Sequence, residues 1–319
     1  MNNVQIAVVG GGPAGLSASI AAARAGARVV LFDENRSLGG QLRYRSAELS
    51  DLDPPLNVPP RLAAALSGDA RDAGVDLRLG ATVWGLFAGP ILAVADATGS
   101  YQLQPEQIVL ATGSTDLPFP FPGGSLPGVL TARAVQILLH LHHVLPGRRF
   151  AVIGSGDAAE EVSRDIVAAG GAVVARLAPD RHGPNLIAEG DDGIRAIGFA
   201  GERHEVDTIV VAVGRQPDAE LALMVECDAG YSPALGGFVP LRDAELRTSL
   251  PGILVAGDVA GICDVATALA EGRFAGLSAA AALGLISDTE LDEARADFAG
   301  SAFDRIATVS GLSAVPARA

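Results

Sequence analysis

Three glycines near the beginning of the chain have the spacing of a phosphate-binding turn. An apolar run, Val4–Val9, is followed by Gly10, Gly12 and Gly15 in a G-x-G-x-x-G pattern, and then by an alanine-rich segment typical of a helix. In such a turn the first glycine allows the tight bend, the second lets the backbone approach a pyrophosphate, and the third lets helix and strand pack closely. The N–H groups at the helix N-terminus point toward the anion. The pattern therefore predicts a dinucleotide site.

A carboxylate lies where the ribose of such a nucleotide would need one. A second apolar run, Ala27–Phe32, ends at Asp33, and an acid about 20 residues after the glycine turn is the usual acceptor for ribose hydroxyls. The polar loop that follows ends in Gly39, Gly40 and Gln41. We expect this loop to wrap a second nucleotide half or a flavin ring, with an ordinary turn as the alternative.

Two later strands end in residues that could complete the same site. The run Ile108–Gly113 ends in A-T-G, and the run Ile253–Asp258 ends in A-G-D before a predicted helix, Ala266–Leu283. Because strand ends of this kind meet at one edge of a sheet, Asp258 could hold a ribityl hydroxyl or a pyrophosphate-bound water. The helix start could stabilise negative charge on a reduced flavin. A solvated loop aspartate is the alternative for Asp258.

The composition is that of a globular α/β protein. Of 319 residues, 49% are apolar and 19% are charged, which suits two domains with buried cores. The net charge of −14 opposes binding to nucleic acid or anionic lipid. No apolar stretch reaches the ~18 residues of a membrane span, and the chain runs into its first strand without a signal peptide. We therefore expect a cytoplasmic protein with no membrane insertion and no nucleic-acid partner.

The cysteines and a cluster of histidines do not have metal-ligand spacing. Cys227 and Cys263 cannot form a C-x-x-C pair, and two thiols are too few for a zinc or iron–sulfur site. We expect Cys263 to act as a small buried apolar residue rather than a redox thiol. His140, His142 and His143 follow one another along a predicted helix, and we expect them on its surface. The sequence predicts no metal site and no redox dithiol.

Between the first strands and the A-T-G run, the pattern predicts one helix and a small β-meander. The helix is amphipathic and covers Arg61–Asp72. Four short strands follow, separated by turn residues. They are Val75–Leu79, Thr82–Phe87, Ile91–Ala95 and Tyr101–Leu103.

The chain repeats its opening pattern after a proline-rich crossing, Leu117–Pro127. A helix at Thr131–Val144 leads into a strand at Arg149–Ile153, a glycine turn and another helix. Ala159 takes the place of the third glycine. The residues that could contact a second nucleotide are Gly154, Gly156, Asp157, Ala158 and Arg176.

This repeat differs from the first glycine turn and its surroundings in two ways: it lacks the acid, and it is shorter. Leu177 stands where Asp33 stood, and the adjacent Arg176 could meet a 2′-phosphate. After Leu177 we can place only a turn-rich loop and two small strands, near Ile194–Phe199 and Arg203–Val206, before the closing strand, Asp207–Gly214. The pattern allows a working NAD(P) site, and it slightly favours a domain used only for packing.

Six sequence markers in this order resemble the two-dinucleotide flavoproteins of the pyridine-nucleotide and thioredoxin-reductase type. They are G-G-G-P-A-G, L-G-G-Q, A-T-G, G-S-G-D-A-A, V-G-R-Q-P and A-G-D-V. The resemblance implies an α/β fold with two Rossmann-like domains, the second inserted in the first and shortened. It implies an FAD-binding domain of residues 1–116 and 215–319, and an NAD(P)-binding-like domain of residues 117–214.

The same resemblance implies tightly bound FAD, with Val83 in the meander at the adenine-contacting position. The implied cofactor-binding residues are Gly10, Gly12, Pro13, Ala14, Gly15, Asp33, Glu34, Gly40, Gln41, Val83, Ala111, Thr112, Gly113, Gly257 and Asp258.

A narrower resemblance points to the FAD subunit of multisubunit amine and imino-acid dehydrogenases. This group includes opine oxidase, hydrogen cyanide synthase, D-hydroxyproline dehydrogenase and part of sarcosine oxidase. The segments that carry it are residues 39–45, 126–132, 145–149 and 268–273. It implies an electron-transferring subunit that works with a second flavoprotein subunit carrying the substrate site, and with a small iron–sulfur subunit. The chain departs from those subunits that continue into a cysteine-rich module.

Two other functions stay open from the sequence. One is a self-contained NAD(P)H-dependent flavin reductase without a redox dithiol. The other is a non-enzymatic assembly subunit whose nucleotide sites hold FAD or ATP only as structure. No residue is nominated as catalytic, since the flavin itself carries the redox chemistry. For the tail, Ser287–Ala319, docking to a neighbour and a frayed helix are equally expected.

Overall fold

The computed structural model describes residues 4–50, 52–178, 186–199, 201–298 and 312. These residues divide into two compact units. The first unit takes the chain up to Leu42, Leu49–Thr115 and the residues from Gln216 onward. The second unit takes Arg43–Glu48 and Asp116–Arg215.

The strands and helices follow in chain order. The strands are β1 (Ile6–Val9), β2 (Val29–Asp33), β3 (Asp76–Leu79), β4 (Thr82–Phe87), β5 (Ile91–Asp96), β6 (Gly99–Leu103), β7 (Gln107–Leu110), β8 (Ser114–Asp116), β9 (Val129–Thr131), β10 (Arg149–Ile153), β11 (Ala172–Leu177), β12 (Ile187–Glu189), β13 (Ala196–Phe199), β14 (Glu202–Glu205), β15 (Thr208–Val211), β16 (Arg215–Pro217), β17 (Ala229–Ser232), β18 (Gly237–Pro240) and β19 (Ile253–Val255). The helices are α1 (Pro13–Arg24), α2 (Pro59–Asp72), α3 (Ala132–His142), α4 (Asp157–Ala168), α5 (Glu220–Met224) and α6 (Val265–Ala282).

The first unit is built on a parallel sheet with the strand order β19-β7-β1-β2-β3. Strand β1 lies at its centre, where Val8 pairs with Leu31 on one side and with Val109 on the other. The inner strands β1, β2 and β7 and the edge strand β19 are mostly apolar because both faces of the sheet are covered, whereas the other edge strand, β3, alternates polar and apolar residues. Helices α1 and α6 contribute to the core on one face. The β4–β5–β6 sheet and α5 contribute to the core on the other.

Helices α1 and α6 approach each other closely because small residues line their contact. A Cβ atom added to Gly272 would lie 2.1 Å from the carbonyl oxygen of Ala14. One added to Gly276 would lie 2.2 Å from that of Ala18. No side chain fits at these two positions, so the glycines set the distance between the helices.

One strand of the predicted meander belongs to a different sheet. The segment predicted as Val75–Leu79 forms β3, which pairs in parallel with β2 in the large sheet. Helix α2 is the crossover between these strands and packs against α1. The meander consists of β4, β5 and β6. An edge strand with alternating exposure has the same local pattern as a meander strand, and only the crossover helix distinguishes them.

The second unit repeats the plan with a parallel sheet of order β11-β10-β15-β9. Helices α3 and α4 cover one face. The antiparallel sheet β12-β13-β14 contributes to the core on the other face. The prediction of two small strands here was incomplete, because β12 is a third. Residues 179–185 and 200 lie outside the described residues.

The tail is partly described, and its helical part packs on its own unit. Residues 288–298 are helical, and Ala294 and Phe298 are buried in the core beside α1 and α6. The ring of Phe298 stacks on Phe274 at a centroid distance of 4.7 Å. This segment is therefore neither frayed nor available as a whole to a neighbour. The rest of the tail prediction, residues 299–311 and 313–319, falls outside the described residues. Within the part of the chain that the structure describes, no helix is long and apolar enough to cross a membrane.

Candidate functional site

The first glycine turn has two glycines that the protein's own packing requires. Gly10 has a φ of +106°, and a Cβ atom there would lie 2.2 Å from the carbonyl oxygen of Ala111. A Cβ atom on Gly15 would lie 1.8 Å from the carbonyl oxygen of Gly10. The absence of side chains at these two positions therefore lets β1, β7 and α1 pack closely. Ala111 contributes to this packing through its backbone carbonyl.

Gly12, by contrast, has room for a side chain among the described residues. A Cβ atom on Gly12 would come no closer than 4.0 Å to its nearest neighbour, the Cα atom of Gly40. Gly12 is also the N-cap of α1, which has no side-chain cap and begins with Pro13. The first-turn amides, including that of Ala14, thus have no intrahelical acceptor. An open cradle beside an uncapped helix N-terminus fits a pyrophosphate.

The L-G-G-Q loop closes against this turn. The amide of Gly39 donates to the carbonyl oxygen of Gly11 at 2.7 Å. A Cβ atom on Gly40 would lie 2.9 Å from the Cα atom of Gly12, and its φ of +51° is in the left-handed region. The loop that the sequence places near the nucleotide therefore lies directly on the glycine turn.

Asp33 is buried at the end of β2 and faces the turn. Its Oδ2 accepts from the Gly11 amide at 2.7 Å, and its Oδ1 accepts from the backbone and side-chain amides of Asn35 at 2.7 and 3.1 Å. An ionised carboxylate has about four acceptor positions, so it can also receive a ribose hydroxyl. Asn35 was not foreseen, although its place two residues after Asp33 is typical of an Asx turn. Glu34 is exposed.

Val83 lies a short distance along the chain from this corner. The amide of Ala81 donates to the Asp33 carbonyl at 3.0 Å, and that of Gly80 donates to the Asn35 carbonyl at 3.1 Å. Val83 is half-buried in β4, at an irregularity in the pairing with β5. The predicted adenine-contacting strand is therefore tied to the ribose-side acid through main-chain hydrogen bonds.

The A-T-G segment is fixed by Asp218. The hydroxyl of Thr112 donates to the Asp218 carbonyl at 2.6 Å, and the Asp218 amide donates to the Gly113 carbonyl at 2.9 Å. Gly113 has a φ of +86°, and a Cβ atom on it would meet no described atom within 4 Å. The Thr112 side chain thus binds the protein's own backbone at Asp218. The backbone of the next residue, Gly113, is open to a ligand.

Asp258 is the centre of a hydrogen-bond network in the first unit. Its Oδ2 accepts from Gln41 Nε2 at 3.0 Å and from Ser114 Oγ at 2.8 Å. Its Oδ1 accepts from the Cys263 amide at 3.1 Å and from the thiol at 3.6 Å. The structure brings Gln41 and Asp258 together, and it adds Ser114, which sequence reasoning missed. Cys263 is half-buried and is a hydrogen-bond donor as well as an apolar residue.

The N-terminus of α6, which the sequence placed near the flavin, is capped by a carboxylate of the protein itself. Asp264 is the N-cap of α6, and its side chain accepts from the Thr267 amide at 2.7 Å. The positive end of this helix already has an anion. The idea that it stabilises charge on a reduced flavin is therefore weakened, and α1, which has no such cap, is the better anion site.

These residues fit FAD as a cofactor. The uncapped start of α1 suits its pyrophosphate, Asp33 suits ribose hydroxyls, and Asp258 suits the ribityl chain. Because Gly12 and Gly113 have no side chain and open space beside them, a ligand can approach the backbone at both positions.

The second unit keeps the shape of the turn and changes its charge. A Cβ atom on Gly154 would lie 2.0 Å from the Ala212 carbonyl oxygen, much as one on Gly10 would lie close to Ala111. Gly156 has a φ of +81°, and a Cβ atom on it would meet no atom of the described residues within 4 Å. The first turn of α4 carries Asp157 and Glu160. These negative charges oppose a phosphate at the helix N-terminus. Ala158 and Arg176 are exposed, and Leu177 is buried.

A polar cluster in the second unit was not foreseen. Asp165 Oδ1 accepts from Ser46 Oγ at 2.5 Å, and its Oδ2 accepts from Gln136 Nε2 at 3.1 Å. His140 Nε2 lies 3.3 Å from the same Oδ2. Arg45 pairs with Glu161 at 3.2 Å. The cluster borders a cavity of about 520 Å³.

The expectation that the histidines lie on a helix surface holds for two of the three. His142 and His143 are exposed, whereas His140 is half-buried against Asp165. Helical spacing could not show that α4 would place a carboxylate beside it. In the part of the chain that the structure describes, no group of three or more His, Cys, Asp or Glu side chains could hold a metal ion.

Comparison with known proteins gives consistent similarities. An opine oxidase subunit of Agrobacterium tumefaciens (strain Ach5) is 30% identical over 88% of this chain and 66% of its own length. The alpha subunit of sarcosine oxidase from Corynebacterium sp. (strain P-1) is 28% identical over 99% of this chain and 34% of its own. The chain thus spans about two thirds of the first relative and about one third of the second.

Among solved structures, L-proline dehydrogenase from P. horikoshii has the same fold. It superposes with a TM-score of 0.78 at 23% identity, covering 91% of this chain and 58% of its own.

A family model also matches residues 4–185 and 182–272. That match covers most of the chain, including both glycine turns and the A-G-D segment. The chain therefore belongs to the pyridine nucleotide-disulphide oxidoreductase family, and its class is that of the FAD-dependent oxidoreductases.

Proposed function

We propose that this protein is the electron-transferring FAD subunit of a heteromeric amino- or imino-acid dehydrogenase. The observation that carries the proposal is the difference between the two glycine turns. The first has an uncapped helix N-terminus and a ribose-side acid, Asp33. The second has Asp157 and Glu160 in the first turn of its helix. The first turn therefore suits a flavin nucleotide, whereas the acids of the second turn disfavour the phosphates of a nicotinamide donor.

The partner subunits and the substrate class come from the relatives' names. The opine oxidase and sarcosine oxidase relatives are both named as subunits of larger enzymes, and opines and sarcosine are N-substituted amino acids. We extend this to a second flavoprotein subunit that carries the substrate site, and to a small iron–sulfur subunit. The cytoplasm suits the two thiols of the chain, Cys227 and Cys263.

In this proposal the chain's own residues bind and orient the cofactor. The amides at the start of α1 hold the pyrophosphate, and Asp33 accepts from ribose hydroxyls. Asp258 is held by Gln41 and Ser114 in the position to accept from the ribityl chain. When bound, FAD supplies the electron-accepting chemistry.

The first experiment is anaerobic and uses the purified chain. Its flavin spectrum is recorded, and NADH and then NADPH are added in a stopped-flow instrument. A bound flavin that remains oxidised with both supports the proposal. Fast bleaching by either would contradict it. Rapid oxidation of an N-substituted amino acid by this chain alone, with one flavin, would also contradict it.

The alternative is a self-contained NAD(P)H-dependent flavin reductase. In its favour, the second turn keeps the tight bend at Gly154 and the open space at Gly156, and Arg176 is exposed at the end of β11. If NADPH bleaches the flavin, Arg176→Ala should raise the KM for NADPH about tenfold and leave that for NADH unchanged. Equal KM changes for both would exclude Arg176 as the reader of a 2′-phosphate.

A further inference from the structure

A buried ion pair lies behind the A-G-D turn. Arg242 Nη2 is 2.7 Å from Glu271 Oε1, and both side chains are fully buried. Glu271 Oε2 accepts from the Gly257 amide at 2.8 Å. The carboxylate therefore links α6 to the residue that precedes Asp258.

The pair lies where the two halves of the proposed FAD site meet. A Cβ atom on Gly257, which has a φ of +80°, would lie 2.8 Å from the Cβ atom of Ala14. A Cβ atom on Gly272, the neighbour of Glu271, would lie 2.1 Å from the carbonyl oxygen of Ala14. Ala14 is in the first turn of α1, so Glu271 connects the pyrophosphate end of the site with the turn that positions Asp258.

The loop that carries Arg242 is bonded to the strand that leads into the turn. Arg242 and Thr248 form an antiparallel bridge, and the amide of Val255 in β19 donates to the Leu246 carbonyl at 3.1 Å. The loop that carries the guanidinium is therefore fixed to β19, which ends two residues before Gly257.

The hydrogen bonding of the Arg242–Glu271 pair is incomplete, so a role in stability alone does not account for it. Within the described residues, Arg242 Nε and Nη1 are buried and have no hydrogen-bond partner. Buried ion pairs with unsatisfied groups are often less stabilising than apolar residues of the same size, whereas removal of one partner is strongly destabilising. A function other than stability would explain why both charges are present.

We propose that Arg242 and Glu271 are positioning residues for FAD. Glu271 fixes the Gly257 amide, and through it the Asp258 carboxylate. Arg242 neutralises Glu271, so that no uncompensated negative charge lies behind the cofactor's pyrophosphate. This inference rests on the proposed FAD site in the first unit.

The test compares three variants of the full chain as apoprotein titrated with FAD. Arg242→Met leaves a buried carboxylate without its cation, and we expect the FAD Kd to rise at least tenfold. The double variant Arg242→Met with Glu271→Gln removes both charges and keeps an acceptor for Gly257, so the Kd should return to within about threefold of the original. The double variant Arg242→Met with Glu271→Leu lacks the acceptor, and its Kd should again rise at least tenfold.

The visible absorbance and circular dichroism of bound flavin separate positioning from stability. We expect these spectra to change in the Glu271→Leu double variant and not in the Glu271→Gln double variant, whatever their urea midpoints. An unchanged Kd and spectrum in a folded Glu271→Leu double variant would overturn the inference. If Arg242→Met does not fold, the two double variants still decide. Failure of the original chain to bind FAD would instead overturn the proposed function.

Discussion

Asp33 is the residue whose contacts most directly define the nucleotide side of the proposed FAD site. Its two oxygens accept three hydrogen bonds, from the Gly11 amide and from both amides of Asn35. These bonds orient the carboxylate toward the glycine turn. Hydrogen bonds to a charged group contribute about 1.5–3 kcal/mol each, so the charge of this side chain matters for the shape of the turn as well as for ribose binding.

Asp33→Asn should therefore weaken FAD binding. The new amide group must present N–H donors to at least one of the amides that Asp33 accepts from, and we expect the Kd to rise about tenfold or more. Titration of the apoprotein by flavin fluorescence measures it. Asp72→Asn, which changes an exposed acid at the end of α2, is the control. An unchanged Kd for Asp33→Asn would remove this residue from the site.

The two thiols should differ in reactivity. Cys227 is 1% exposed, and burial raises the pKa of its thiol, a shift that the hydrogen bond with Thr248 only partly opposes. In the unfolded chain this thiol would ionise at about pH 8.5. In the folded protein the Cys227 thiol therefore stays neutral at that pH. Its contribution to stability is present below that pH and is lost as the pH rises through the folded-state pKa.

Iodoacetamide at pH 8 should thus modify Cys263 first and Cys227 only after unfolding in urea. Mass spectrometry of peptides from the original chain and from Cys263→Ala gives the two rates separately. If Cys227 in the folded protein were labelled as fast as Cys263, the Cys227 thiol would be accessible to solvent and not buried.

At the scale of elements, the contact between α1 and α6 determines where the site residues lie. Gly272 has no room for a Cβ atom beside Ala14, whereas a Cβ atom on Gly68 in α2 would meet nothing within 4 Å in the part of the chain that the structure describes. Both glycines are helical. Gly272→Ala should lower the free energy of unfolding by about 1–3 kcal/mol through overpacking, and Gly68→Ala should raise it by about 0.5–1 kcal/mol.

Urea denaturation of both variants in the absence of FAD measures these changes. The opposite signs are the important result, because helix propensity alone would stabilise both. A stabilised Gly272→Ala variant would mean that the helices are further apart than the structure shows.

At the scale of the whole molecule, two similar glycine turns differ in their electrostatics. The start of α1 has no acidic residue in its first turn, and the start of α4 has two. The expectation of nucleotide binding is therefore strong for the first unit and weak for the second.

Hydrogen–deuterium exchange of the full chain with and without FAD should show this asymmetry. We expect FAD to slow exchange at least tenfold in residues 11–16 and 257–260, and to leave residues 154–160 within about twofold. Addition of ADP in place of FAD provides the comparison for a second site. Protection of residues 154–160 by either compound would contradict the packing-only role of the second turn.

The sequence alone determined the parts of this protein that depend on local constraints. The tight bends at Gly10 and Gly154 follow from glycine spacing, and the buried parallel strands follow from continuous apolar runs. A bend or a strand is specified by neighbouring residues, so its pattern is visible in one stretch of chain. The family's two-part α/β fold was readable for that reason.

The tertiary structure decided the contacts between residues distant in sequence. Asp258 meets Gln41 and Ser114, which precede it by 217 and 144 residues. Arg242 meets Glu271, which follows it by 29 residues, and β3 joins the large sheet and not the meander. No periodicity records such pairings, because they arise from how β19, α6 and the crossover helix α2 pack. The position of each side chain in the site depends on that packing.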